Sequence, residues 1–226
     1  RNIPTRQMTY AVKNSITNML WNTFVSLPIA LVCTYVFFRK IPGYNVFRII
    51  FFLPAIISSV VLTIAYKFSF DTSFGIVNSI IKKVGLGYLL PQEGWFGTPS
   101  RAWFMILLYG SWSGVGYNVL LLSGSMSRIP AEVLESARID GIGMFRELVF
   151  IIIPMIFSTI TTMLVLFLSN VFSYFLTPML LTGGNPDYGT YTIAYVITDL
   201  VKQDQLNKAA AYGVFFSVIG VPFVLG

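Results

Sequence analysis

The chain has 226 residues, of which 55% are hydrophobic and only 11% charged, where a soluble domain carries about 25% charged residues. With a mean hydropathy of +0.74, it is expected to be an integral membrane protein. There is no histidine and Cys33 is the single cysteine. That excludes histidine-based acid–base catalysis, serine–histidine triads, histidine-ligated metals and intramolecular disulfides. The 15 Lys and Arg against 9 Asp and Glu suit anionic lipid headgroups, and they are too scattered for a nucleic-acid face.

A charge at mid-bilayer costs several kcal/mol, so uncharged runs mark the spans. Five such runs occur: Asn14–Phe38, Ile49–Tyr66, Ala102–Ser127, Leu148–Pro186 and Ala209–Gly226. About 20 apolar residues cross the hydrocarbon as a helix, so each run is expected to hold one span. In the longest run the span is placed at about 145–174. Thr182-Gly183-Gly184-Asn185-Pro186 breaks the remainder of that run, which is expected to be irregular chain leaving the membrane. The chain starts without Met and ends inside an apolar run, so both ends are expected to be cut. Arg1–Lys13 has no apolar core of a signal peptide.

Between the spans lie a short basic turn, Arg39–Arg48, and a long connection, Lys67–Arg101. Within the latter, Phe74–Lys83 is apolar at helical spacing and is expected to lie at the membrane interface. A half-length helix is expected at roughly Tyr191–Lys202. The charged stretch Arg128–Glu147 predicts a short helix: Pro130 suits its first turn, Glu132 suits the positive end of the helix dipole, and Gly141 suits a left-handed C-terminal position. Ile129, Val133 and Ala137, with Leu134 beside them, form an apolar stripe, with Glu135 and Arg138 on the other side. That stripe must rest on lipid, on its own bundle or on another protein.

Ile129-Pro130-Ala131-Glu132-Val133-Leu134-Glu135-Ser136-Ala137-Arg138-Ile139-Asp140-Gly141 leads, nine residues on, to Ile151-Ile152-Ile153-Pro154. This resembles the EAA loop of permease subunits of bacterial ATP-binding-cassette (ABC) importers: Glu-Ala-Ala, three residues, Gly, nine residues, Ile-x-Leu-Pro. Glu135, Ala137, Gly141, Ile151 and Pro154 match, while Ser136 and Ile153 are mild replacements. The Ile-Pro-x-Glu start and the Ile-Asp-Gly at 139–141 resemble the carbohydrate branch. Phe47–Pro54 and Thr182–Pro186 agree, so the resemblance runs from about residue 16 to 226.

The resemblance implies an all-α polytopic membrane helix bundle, the five-span core of a type I, MetI-like importer, in the bacterial plasma (inner) membrane. Residues 1–226 would form a single transmembrane permease domain with a cytoplasmic coupling loop at about 128–147. A second permease subunit, ATPase subunits and an extracytoplasmic solute-binding protein are the implied partners, beside membrane lipid. On this resemblance Glu132, Glu135, Ser136, Ala137, Asp140 and Gly141 contact the ATPase. No G-x-x-x-x-G-K-[ST] loop occurs, so the chain is expected to bind no cofactor and catalyse no reaction, with ATP and Mg on the partner. A sugar or oligosaccharide is the implied solute.

Inside the spans, Pro28, Pro54 and Pro154 are expected to kink their helices. Gly110 and Gly114 form a G-x-x-x-G pair with Gly116 nearby, expected to serve close helix approach. Ser111, Gly114 and Asn118 share a face of the third span. Thr159, Thr162, Ser169 or Asn170, Ser173 and Thr177 recur along the fourth. Such stripes either join helices or border a hydrated passage. The aromatic residues Trp112, Tyr117, Phe172 and Tyr174 lie near them and would stack on sugar rings or pack against helices. Candidates for the path are Ser111, Tyr117, Asn118, Asn170, Ser173 and Tyr174. The rival readings are weaker. A proton-coupled carrier needs ionisable groups at mid-membrane and the runs hold none, although a sodium site built of backbone carbonyls stays open. In a membrane enzyme nothing would activate Ser111 or Ser113. A purely structural anchor leaves the polar stripes without a use.

Overall fold

The computed structural model describes residues 5–39 and 44–225. Part of the basic turn (Lys40 to Gly43) and the side chains of Arg48 and Arg138 lie outside the described set. Every regular element described is helical. Helix α1 (Thr5–Trp21) runs through a π segment (Asn22–Ser26) into α2 (Leu27–Phe38), making one 33-residue span from Arg6 to Phe38. Next come α3 (Tyr44–Ile56), α4 (Ser59–Ser69), the amphipathic α5 (Ile76–Lys83) and a short 3₁₀ turn (Gly87–Leu89). The 28-residue α6 (Pro99–Met126) crosses in one piece. A hairpin of α7 (Ala131–Ile139) and α8 (Met144–Glu147) comes after it. Beyond the hairpin lie a second π segment (Leu148–Ile152), the one-turn α9 (Ile153–Met155) and α10 (Phe157–Asn170). The chain closes with α11 (Leu176–Thr182), α12 (Ile193–Lys202) and α13 (Leu206–Leu225). At 20 residues, α13 is about 30 Å long, enough to cross.

Two of the expected spans differ from a simple crossing. The run Ile49–Tyr66 is not one straight helix: it bends by 118° between Ile56 and Ser59, shortly after Pro54 removes a ladder hydrogen bond. The stretch at about 145–174 bends by 75° at Ile156, just after Pro154. Past it the chain is not irregular, because α11 begins at Leu176 with Pro178 in its first turn, where a missing N–H is tolerated. Pro28 causes no break. Its helix widens just before it, so that the Leu27 amide bonds back to the carbonyl of Asn22, five residues earlier. The Ile153 amide reaches Leu148 in the same way ahead of Pro154. A π turn thus takes up the bonding that each proline disturbs.

The core lies along α6. Val115, Val119, Leu122 and Met126 recur at steps of three or four residues and are buried against Leu27, Ala30, Leu31 and Tyr35 of α2. On another side α3 comes so close that a Cβ at Gly116 would collide with the Phe51 carbonyl oxygen. Close approach is therefore the work of Gly116, whereas a Cβ at Gly114 would meet nothing within 4 Å. The G-x-x-x-G pair was expected to pack helices; it faces open space instead. Farther toward the start of α6, Thr63 of α4 bonds the Tyr109 hydroxyl at 2.7 Å and Tyr66 bonds the Met105 carbonyl at 3.2 Å. So α3 and α4 climb the same flank of α6 despite their bend.

At the end opposite the hairpin, the buried Asn14 donates to the carbonyls of Gly189 and Tyr191 at 2.8 and 2.9 Å. Ser15 accepts from the Ile193 amide at 3.0 Å. These bonds pin the 183–192 loop to α1. Gly184 is required there, because a Cβ would overlap the Tyr191 ring and its φ is +86°. In the 70–98 connection, Trp95 donates to Asn78 at 2.6 Å and Asn78 to the Asp71 carbonyl at 2.8 Å, leaving Ile76 and Ile80 exposed on α5. That exposed face fits the expected interfacial position.

Substituting Gly116→Ala is expected to lower stability by about 1–3 kcal/mol through overpacking, whereas Gly114→Ala leaves it unchanged. The unfolding midpoints of the two detergent-solubilised variants decide it.

Candidate functional site

Two features stand out: a cavity of mixed lining, with Leu121, Met163, Leu166 and Phe167 beside its polar groups, and the hairpin at the end of the bundle. The cavity has a volume of about 470 Å³ and is walled by α1 with its π segment, α6, α10 and the turn into α11. Tyr117, Asn118, Asn170, Ser173 and Tyr174, predicted from the sequence, all line it. Gly110 and Gly114 also line it. Their missing side chains leave the space, with the Tyr174 hydroxyl 3.6 Å from where a Cβ on Gly110 would sit.

Ser111 stands elsewhere. It is buried behind the wall, accepting from the Trp21 indole at 2.7 Å and sharing a 3.0 Å bond with Ser26. It joins α1 and the π segment to α6. The polar stripe of α10 divides in the same manner. Thr159 donates to Ser125 of α6 at 2.9 Å, and the Thr162 hydroxyl is spent on its own helix at the Ser158 carbonyl. Only the part from Ser169 onward borders the cavity. Among the aromatics, Tyr117 and Tyr174 face the cavity, while Phe172 packs against Gly220 of α13 and Trp112 against Tyr109.

Sequence reasoning missed the contribution of the first span. Asn18 and Asn22 line the cavity, and Asn22 donates to the Asn18 carbonyl at 2.8 Å. Asn at i and i+4 within an uncharged run was the available signal. Ser113 and Thr177 complete the polar wall. Donors and acceptors are thus amides and hydroxyls, and no lining residue carries a formal charge. A surface of this kind hydrogen-bonds neutral polyhydroxylated molecules, and its exposed Tyr117 can stack on their rings.

The hairpin has a defined end. Gly141 is left-handed, with φ +71°, and the Ile142 amide bonds back to the Ala137 carbonyl at 3.0 Å, a closing bond that satisfies a helix-end carbonyl. Glu132, Glu135, Ser136, Asp140 and Gly141 are exposed, and the Ser136 hydroxyl bonds the Glu132 carbonyl at 2.8 Å. Ala137 and Leu134 are buried, Leu134 in the same cluster as Met126 and Leu148. The apolar stripe therefore rests on its own bundle, and Ala137 supports the hairpin from within. The face left free carries Ile139, 86% exposed, with Met144 and Phe145 exposed beside it. These three were not among the expected contact residues.

The fold has close counterparts among solved structures. A bacterial ABC transporter that imports the acidic polysaccharide alginate superposes with a TM-score of 0.85 at 22% identity, covering 98% of this chain and 78% of that one. In sequence, residues 26–225 match the family model described as binding-protein-dependent transport system inner membrane component, and the chain belongs to that family. It is a permease subunit of an ABC importer, an inner-membrane transport component and not an enzyme. The probable ABC transporter permease protein YurN of Bacillus subtilis is 27% identical over 213 residues, 94% of this chain and 72% of that protein. The maltose/maltodextrin permease MalF of Escherichia coli K12 is 28% identical over 177 residues, 78% of this chain; the match spans about a third of MalF, 34% of its length.

In a Cys33→Ser background, Asn22→Cys, Asn118→Cys and Asn170→Cys are expected to react with a small water-soluble maleimide, and Ser111→Cys to stay unlabelled. Equal labelling at all four positions would mean that the cavity is not a separate hydrated space.

Proposed function

We propose that the chain forms one half of a translocation pathway for a sugar or oligosaccharide, with the cavity on the solute's route. What carries this reading is the wall itself: amides and hydroxyls from three helices converge with two tyrosines, and no formal charge stands among them. The relatives agree in kind, since MalF is a maltose/maltodextrin permease. A solved alginate importer is in complex with a periplasmic protein bound to an alginate pentasaccharide. A second permease subunit would supply the other wall, and an external binding protein would deliver the solute.

The hairpin is proposed to dock on an ATPase subunit, where ATP and Mg are bound. Its exposed Glu132, Glu135, Ser136 and Asp140 surround Ile139, Met144 and Phe145. Polar groups around an apolar centre are the pattern of a protein contact. Gly141 holds the turn, where a side chain would strain the backbone by about 1 kcal/mol or more.

Replacing Asn118→Leu or Asn170→Leu is expected to slow solute uptake by the reconstituted importer about tenfold, the equivalent of one or two lost hydrogen bonds, without loss of assembly. Normal uptake in both would place the route elsewhere. Gly141→Val, and more weakly Glu135→Ala, should leave the protein in the membrane yet abolish ATP hydrolysis stimulated by loaded binding protein. Full stimulation in both would remove the coupling role from this hairpin. The purified chain alone is expected to release no phosphate from ATP.

A further inference from the structure

Arg39 and Glu147 form an ion pair at the hairpin end of the bundle, with Nη2 and Oε2 2.6 Å apart. The Glu147 side chain is completely buried and that of Arg39 is 18% exposed. The other ion pair among the described residues, Arg6–Asp187, is open to solvent on both sides and 3.5 Å long. Arg39 caps α2, and its Nε donates to the Tyr35 hydroxyl at 3.1 Å. Its guanidinium also lies 5.7 Å from the centre of the Tyr35 ring. That hydrogen bond is the first of the influences that raise the guanidinium pKa, so the cation is permanent.

Burying two charges is costly, and a packed apolar pair often holds two helices as firmly. What an apolar contact lacks is a fixed partner and a fixed length, which a charge-assisted hydrogen bond supplies. The location gives that property a use. Glu147 is the last residue of α8, so it travels with the hairpin. Directly after it come the π segment Leu148–Ile152, Pro154 and the 75° bend at Ile156. Through the covalent chain α8 runs on as one helix to Met155, and a displacement of the hairpin then meets the 75° bend at Ile156 before it reaches α10. Through Arg39 it reaches α2 at once. That helix leads back through the Asn22–Ser26 π segment to Asn22 and Asn18 in the cavity wall.

We propose that the Arg39–Glu147 pair is the tether by which the hairpin moves α2, and with it the α1 wall of the cavity. This rests on the coupling role proposed for the hairpin. Among the described residues the attachment is made at one point. Glu147 Oε2 takes the Arg39 bond while Oε1 is buried with no hydrogen-bond partner among the described residues. A one-point bond lets α8 pivot against α2 while the separation is held. Arg39 and Glu147 are thus positioning residues: neither lines the cavity nor belongs to the exposed docking face.

The test uses the whole importer in proteoliposomes, with its partner subunits and loaded binding protein, and reads solute taken up per ATP hydrolysed. Glu147→Gln and Arg39→Gln should assemble and keep basal ATP hydrolysis, Arg39→Gln with a lower thermal midpoint because a buried carboxylate is left unpaired, yet both lose at least tenfold in solute per ATP. The reversed pair Arg39→Glu/Glu147→Arg should recover most of it. A purely structural role would lower assembly and leave the ratio intact, and an intact ratio overturns the proposal. A normal ratio in Glu147→Gln beside an uncoupled Gly141→Val overturns the tether and leaves the hairpin's role standing; normal ratios in both overturn the two together. Should the single variants fail to assemble, Arg39→Cys/Glu147→Cys in a Cys33→Ser background, joined by a short bis-maleimide, decides the matter. Uptake retained after cross-linking supports a tether, and uptake lost only on cross-linking refutes it.

Discussion

In hydrocarbon an unpaired backbone amide or carbonyl costs several kcal/mol, because no water is there to receive it. That penalty governs the layout of this chain. It makes the described elements helical, and it leaves each proline within a span to be resolved in a particular way. At Pro28 the helix widens and carries on, at Pro54 it turns sharply a few residues later, and at Pro154 it does both in succession. The widened turn before Pro28 lies at the cavity wall, and the interruptions around Pro154 lie where the hairpin rejoins the bundle. Backbone irregularity in a membrane survives where protein or a hydrated space covers it, so these places coincide with the regions of interest.

With long helices in place, the packing is set by what α6 allows on each flank. Two flanks are closed: α2 interleaves with Val115, Val119, Leu122 and Met126, and α3 touches backbone at Gly116. The remaining side, at Gly110 and Gly114, has no side chains with which to fill space. A space there holds water only where its walls offer polar partners, and the four asparagines 18, 22, 118 and 170 supply them. Hydroxyls that point elsewhere, on Ser111, Ser26, Ser125 and Thr159, bond to one another between helices. The same residue types thus serve cohesion or the cavity according to which side of the helix they occupy.

Charge is used with equal economy. The described spans keep ionised groups away from the cavity, and one buried pair, Arg39–Glu147, sits where helix ends meet. The acidic groups of α7 and the turn after it, Glu132, Glu135 and Asp140, stay in solvent. This spacing separates an uncharged cavity from a charged hairpin surface.

How much of this was legible depended on whether the signal was local. The rough position of the apolar segments came from uncharged runs, because the cost of a buried charge is a property of each residue alone. The capped hairpin helix came from Pro130 and Gly141, whose backbone preferences act within a few residues. The bends at 57–58 and at Ile156 were not legible, because proline states that a bond is missing and not how the neighbouring helices will compensate. Nor was the direction of a polar face: Ser111 and Asn118 share one α6 face yet end up in a helix seam and a cavity wall. The apolar stripe of the hairpin, legible as a stripe, had three possible supports, and only packing chose the bundle itself. Arg39 and Glu147 are 108 residues apart, and nothing local joins them. The sequence by itself determined which segments leave water, where the hairpin helix starts and stops, and which family's loop the chain carries. Tertiary structure alone decided which polar groups are paired and which are left facing a space, because pairing depends on neighbours that are distant along the chain.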